Sequence, residues 1–210
     1  MALVNIREVY PGVSMGLWQI EESVERFYSD YPFLQSYSLF VDKYKSDGRK
    51  LEFLAIRALL YEMFKSHGMS DDQILKIGDI THNAAGKPLL NGYHISITHT
   101  KGYAALIVSA KQNVAVDIEY FNDRVERIAH KFLRKDENAQ GLDDLLVHWC
   151  AKETVYKLFS EDNLQFSQMR VKPFDAMCDW TCEVENLKNK KVVRVDFELT
   201  MDFVLTYTAL

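Results

Sequence analysis

Three stretches of this chain place ionisable side chains at spacings that chemistry can use. The first is Val114-Ala115-Val116-Asp117-Ile118-Glu119. Read as a strand, its side chains alternate, so Val114, Val116 and Ile118 take one face while Asp117 and Glu119 share the other. Two carboxylates projecting together repel unless a cation or water lies between them. Hard oxygen donors of this kind suit Mg²⁺, which takes one or two carboxylates and keeps positions for phosphate oxygens and water. A strand with an acidic solvent face has the same pattern.

The second stretch is Trp149-Cys150-Ala151-Lys152-Glu153-Thr154-Val155-Tyr156-Lys157. On a helix Glu153 and Lys157 fall on one face, where such a pair is ordinarily a surface ion pair. Here the helix is rich in large apolar residues, so part of it must be buried. A carboxylate and a lysine beside a cleft could then bind metal and neutralise phosphate. The third stretch, Ile97-Thr98-His99-Thr100, ends a strand with an imidazole flanked by hydroxyls, a workable grip for phosphate. The parity of Tyr93, Ile95 and Ile97 puts His99 on the apolar face, which also suits a core or rim histidine. Lys87, in Gly86-Lys87-Pro88, stands on a loop that glycine and proline restrict. It belongs to no P-loop, because GxxxxGK[ST] is absent. Arg57 sits mid-helix, where an exposed surface role is equally open.

The elements that must hold these residues are legible in outline. Residues 1–40 are mixed, with Tyr28, Tyr31, Phe33, Tyr37 and Phe40 forming a packing surface around Pro32. Leu51, Leu54, Ala55, Ala58, Leu59 and Met63 recur at helical spacing, and Gly68 marks a stop. Ser70-Asp71-Asp72-Gln73 fits a capping box. Strand-like segments at roughly 93–99, 103–110 and 113–120 have short connections and predict an antiparallel meander. Val125, Ile128, Ala129, Phe132 and Leu133 then mark an amphipathic helix. A further helix at about 143–159 opens on Asp143-Asp144, where acidic residues suit the positive end of the helix dipole. Segments at 180–184, 192–199 and 203–207 form a second three-strand pattern. A helix thus precedes a meander twice. Leu54, Arg57, Tyr61 and Phe64 overlay on Trp149, Lys152, Tyr156 and Phe159 without a gap, a faint internal repeat. The expected fold class is α+β, a pseudo-twofold pair of similar halves, each a helix on a three-stranded antiparallel meander, divided as 1–110 and 111–210.

Composition narrows the function classes. A net charge of -5 gives no basic excess, so nucleic acid is not an expected partner and an anionic ligand needs a local basic cluster. The three cysteines, Cys150, Cys178 and Cys182, form no CxxC pair, and an odd count argues against a disulfide framework. Flanking alternation reads Cys178 and Cys182 as structural. The opening MALVNIREVY has no apolar core and is not read as a signal peptide. No run approaches the ~20 apolar residues of a membrane span, so a cytoplasmic location is expected, with no membrane partner.

Taken together these motifs resemble the phosphopantetheinyl transferase superfamily, and specifically its longer Sfp-type (surfactin-synthetase-activating) members. The family's GKP-like loop, NISHS-like strand end, GIDIE-like strand and WxxKEAxxK-like helix have counterparts in Gly86-Lys87-Pro88, Ser96–Thr100, Ala115–Glu119 and Trp149–Lys157, in the same order, over roughly residues 50–160. Ala115 stands for the usual glycine, Ser96 for asparagine, Thr98 for serine and Thr154 for alanine. None of these departures removes a charged group. The resemblance implies transfer of 4′-phosphopantetheine from coenzyme A to a serine of an acyl or peptidyl carrier protein, with release of 3′,5′-adenosine bisphosphate. It implies that Asp117, Glu119 and Glu153 hold Mg²⁺, that His99 with Thr98 binds the 3′-phosphate, and that Lys87 and Arg57 lie near the nucleotide and phosphates. Lys157 would meet the pyrophosphate, and Glu153 would take the serine proton. The length further implies a monomer. Basic residues at 123–135, namely Arg124, Arg127, Lys131, Arg134 and Lys135, could meet an acidic carrier, or simply form a solvated face. A metal-dependent phosphodiesterase, a non-catalytic coenzyme A-binding protein of the same fold and a plain α+β interaction module are the competing readings.

Overall fold

The computed structural model describes residues 3–210, in two compact units. The first runs to Thr81 and resumes over Pro88–Lys111; the second comprises His82–Lys87 and Gln112–Leu210. The opening Met1 and Ala2, part of the stretch read as lacking a leader, lie outside the described residues.

In the first unit, β1 (Leu3–Tyr10) and β2 (Val13–Gln19) form an antiparallel hairpin whose turn uses Gly12 at φ 74°. Two short helices, α1 (Val24–Asp30) and α2 (Ser38–Val41), lead to the long α3 (Asp47–Ser66). α4 (Asp71–Ile77) follows and opens on the capping box expected from Ser70 and Gln73. The short strands β3 (Thr81–His82) and β4 (Pro88–Leu89) flank the Lys87 loop. β5 (His94–Thr100) and β6 (Tyr103–Ser109) complete a four-stranded sheet of order β1-β2-β6-β5. α3 covers this sheet and buries Leu54, Leu59 and Met63 together with Trp18, Phe27 and Leu106. Gly16 is what lets the helix come so close, because a Cβ there would stand 2.6 Å from Leu59 Cδ1. The expected aromatic surface exists: Tyr31 packs edge-on to Phe33, and Tyr37 and Phe40 both pack on Phe53.

The second unit begins with β7 (Val114–Tyr120), α5 (Arg124–Phe132) and α6 (Gly141–Leu158). β8 (Met169–Val171), β9 (Thr181–Asn186), β10 (Lys191–Leu199) and β11 (Phe203–Ala209) follow. The sheet order is β7-β11-β10-β9-β8, and its neighbours are antiparallel. α6 buries Val147, Cys150, Ala151 and Val155 with Val193, Val195, Phe197 and Val204.

The α+β class is as expected, with one long helix on an antiparallel sheet in each unit. The sheets are larger than three-stranded meanders, which corrects the strand count. The segment at 113–120 pairs along β11 in the second unit, from Val114↔Ala209 to Tyr120↔Phe203. Reciprocal bonds of 2.8 Å between Asn113 and Leu210 extend that pairing. The first sheet instead draws on β1 and β2. The last three strands were legible. All three cysteines are free; Cys182 is buried in β9, while Cys178 lies in an exposed turn before it rather than in the strand.

Candidate functional site

The second unit gathers the carboxylates. On β7, Asp117 sits opposite Thr206 and Glu119 opposite Val204, both on the face that α6 covers. The turns of α6 carrying Trp149, Cys150, Glu153 and Lys157 run past them. Lys157 Nζ donates to Asp117 Oδ1 at 2.7 Å and to the Val116 carbonyl at 3.0 Å. The lysine foreseen as the helical partner of Glu153 therefore bridges to the strand. The buried Cys150 thiol lies 3.2 Å from Asp117 Oδ2, so both oxygens of that carboxylate are held. Trp149 Nε1 donates to Glu119 Oε1 at 3.0 Å, and Thr154 Oγ1 meets Thr206 Oγ1 at 2.6 Å, fixing helix to sheet.

The electrostatics of this cluster are those of incompletely compensated negative charge. Burial, and then the neighbouring Asp117 charge, push the Glu153 carboxyl up to about 7. The same two causes, in the same order, raise Glu119 against the pull of its Trp149 hydrogen bond. A divalent cation relieves that arrangement directly. Among the described residues, no group of three His, Cys, Asp or Glu side chains is placed to hold a metal ion. The fit thus rests on the donor set: three carboxylates, two of them held back from ionising, with a lysine at their edge.

Lys152, next to Glu153, has a different task. Its side chain is 0% exposed, donating 2.7 Å bonds to Glu137 Oε2 and to the Phe132 carbonyl. Glu137 Oε1 in turn accepts from Val171 N at 2.6 Å. This buried pair ties α6 to the segment after α5 and to β8. Sequence spacing gives no sign of it, because Glu137 lies in a loop and its Lys152 and Val171 partners stand 15 and 34 positions away.

The remaining candidates divide. His99 is half-buried on β5; Arg49 Nη1 donates to its Nε2 at 2.8 Å, and Glu52 Oε2 stands 3.4 Å from Nδ1. Strand alternation sends the buried Thr98 to the opposite face, so imidazole and hydroxyl do not share one. Arg57 is further along α3, its guanidinium 3.4 Å above the Phe53 ring and its Nε 3.2 Å from Asp79 Oδ1. Arg49, not Arg57, is thus the arginine at His99. Its place one turn before Glu52 is the sequence signal that could mark it. Lys87 closes a tight loop in which Asn83 Oδ1 accepts from Lys87 N at 2.9 Å, with Gly86 at φ 80°. On α5, Arg127 is 70% exposed, whereas Arg134 lies beyond the helix end and binds Asp136 at 2.8 Å.

A fold of this class with a carboxylate cluster under its helix has a counterpart among known families: residues 113–208 match the model of the 4′-phosphopantetheinyl transferase superfamily. That span holds Asp117, Glu119, Glu153 and Lys157. A holo-[acyl-carrier-protein] synthase from Bacillus velezensis is 44% identical over 70 residues, covering 29% of this chain. The chain matches 58% of that relative's length. No helix among the described residues is long and apolar enough to cross a membrane.

Proposed function

We propose that this protein transfers the 4′-phosphopantetheine group of coenzyme A to a serine of an acyl or peptidyl carrier protein, releasing 3′,5′-adenosine bisphosphate. The observation that carries the reading is the convergence of Asp117, Glu119 and Glu153, with Lys157, inside the segment that matches the transferase superfamily. The Bacillus velezensis relative is named for synthesis of holo-acyl carrier protein, which supports a carrier protein as acceptor. Two helix-on-sheet units in one chain favour the longer, Sfp-type architecture, acting as a monomer in the cytoplasm.

Asp117, Glu119 and Glu153 would hold Mg²⁺, which when bound supplies charge neutralisation to the pyrophosphate. Lys157 would offset negative charge as the phosphoryl group moves, since its ammonium already lies among these carboxylates. Glu153, with a carboxyl near 7, is suited to accept the serine proton at neutral pH. In the first unit, His99 would contact the 3′-phosphate, with Arg49 on geometric grounds in place of Thr98, whose buried hydroxyl lies on the other face of the strand. Lys87 and Arg57 would meet the nucleotide and phosphates; the Asp79 pairing and ring stacking of Arg57 make its share the smaller. Phosphoryl transfer asks little covalent chemistry of a protein, so positioning and charge placement carry most of the rate.

The test is intact mass spectrometry of an apo carrier protein incubated with this protein, coenzyme A and Mg²⁺. The expected result is a gain of one phosphopantetheine, lost with chelator and with Asp117→Asn. No gain on fatty-acid, polyketide and peptide-synthetase carriers alike overturns the reading.

A further inference from the structure

A serine and a histidine meet in the first unit, at residues that phosphopantetheine transfer does not use. Ser14 on β2 and His67 at the C-terminal cap of α3 lie 53 positions apart in sequence, yet Ser14 Oγ is 2.7 Å from His67 Nε2. Both line a cavity of about 370 Å³ whose walls also include Phe64, Met69, Tyr93 and Val108. Glu8, the cross-strand partner of Ser14, lies at the same cavity and holds the turn through a 2.6 Å bond from Gly12 N. Ser14 is 6% exposed, so its hydroxyl is shielded from bulk water, whereas His67 is exposed and open to proton exchange.

We propose that Ser14 is a nucleophile activated by His67, and that the cavity accepts small carboxylic esters with an apolar or aryl acyl group. A hydroxyl with an imidazole nitrogen at hydrogen-bond distance is the geometry that activated serines require. With the ring proton on Nδ1, Nε2 accepts the serine proton as Oγ attacks the carbonyl carbon of the ester. The C–O bond to the alcohol then breaks, and the same proton passes from Nε2 to the departing oxygen. Water, deprotonated by Nε2, repeats the sequence to free the acid and restore the serine. The aromatic and aliphatic walls select the acyl group by apolar contact.

The test uses the full chain and an alkyl fluorophosphonate. Oγ bonds to phosphorus, the P–F bond breaks, fluoride leaves, and the proton goes to His67. Intact mass should show one adduct, which peptide mapping places on Ser14, and Ser14→Ala should not label. His67→Gln should label about 100-fold more slowly, the lower range for loss of a general base. A second variant covers any loss of folding: Ser14→Cys should be alkylated by iodoacetamide at position 14 and be slowed by adding His67→Gln. p-Nitrophenyl acetate should be hydrolysed by the wild type and not by Ser14→Ala. Absence of an adduct, an adduct mapped elsewhere, or wild-type labelling rates in His67→Gln would each overturn the proposal.

Discussion

At the scale of single residues, Glu153 concentrates the tension between stability and function. Its folded carboxyl, at about 7, lies above the ordinary value of 4.5. The folded state therefore binds more protons than the unfolded chain between those values, and metal-free stability falls as pH rises through that window. Below about 4.5 both states are protonated and the penalty vanishes. Glu153→Gln should accordingly raise the melting temperature of the metal-free protein at pH 8 and change it little at pH 4.5. The same substitution should lower kcat for carrier modification by at least about 100-fold, the range expected for a lost base or metal ligand. A melting temperature unchanged at pH 8 would mean that the repulsion has been misjudged. Because ligand carboxylates must be ionised, added Mg²⁺ should stabilise the protein more at pH 8 than at pH 5.5.

The clustering of Asp117, Glu119, Glu153 and Lys157 is legible in the sequence, because strand alternation puts the first two on one face and helical spacing does the same for the second two. What holds them is not. The Cys150 thiol on Asp117 and the Trp149 indole on Glu119 join elements some thirty positions apart, and no local period encodes such contacts. Trp149→Phe tests the second of these at small steric cost. It should raise the Mg²⁺ concentration for half-maximal activity severalfold, in the manner of lost outer ligand contacts, while leaving the helix intact by circular dichroism.

At the scale of elements, two joints decide whether α3 and α6 sit correctly. Gly16 seats α3 against β2, and Gly16→Ala should cost about 1–3 kcal/mol through overpacking on Leu59. That glycine also explains why β2 was hard to read. Glycine weakens a strand pattern, and here its reason lies in a helix forty residues away. The sequence pattern assigns β7 to the wrong sheet for a related cause. Short connectors before it imitate a hairpin, while its observed partner is the strand that ends the chain. For α6 the joint is the buried Lys152–Glu137 pair. Lys152→Met leaves Glu137 buried without its counter-ion and should cost about 3–5 kcal/mol in denaturant unfolding. Adding Glu137→Gln should recover part of the loss. If the double variant is no more stable than Lys152→Met, the pair contributes through packing rather than charge.

At the scale of the whole molecule, a chain with net charge -5 cannot attract an acidic carrier protein by its overall field. Under the proposed function, recognition of the carrier would come from a local basic surface. Arg124, Arg127 and Lys131 are exposed on α5, whereas Arg134 is bound to Asp136 and is the weaker candidate. Val125 and Phe132 hold the opposite face of the helix in the core, so charge changes on the outer face should leave the fold unaltered. Arg127→Glu with Lys131→Glu should therefore raise KM for the carrier about tenfold or more, leave KM for coenzyme A unchanged, and keep kcat within about twofold, because rim charges act mainly on encounter. The wild-type KM for carrier should also rise with ionic strength, and that dependence should flatten in the double variant. Unchanged carrier kinetics would assign these side chains to a solvated face and move the search for the carrier surface elsewhere on the molecule.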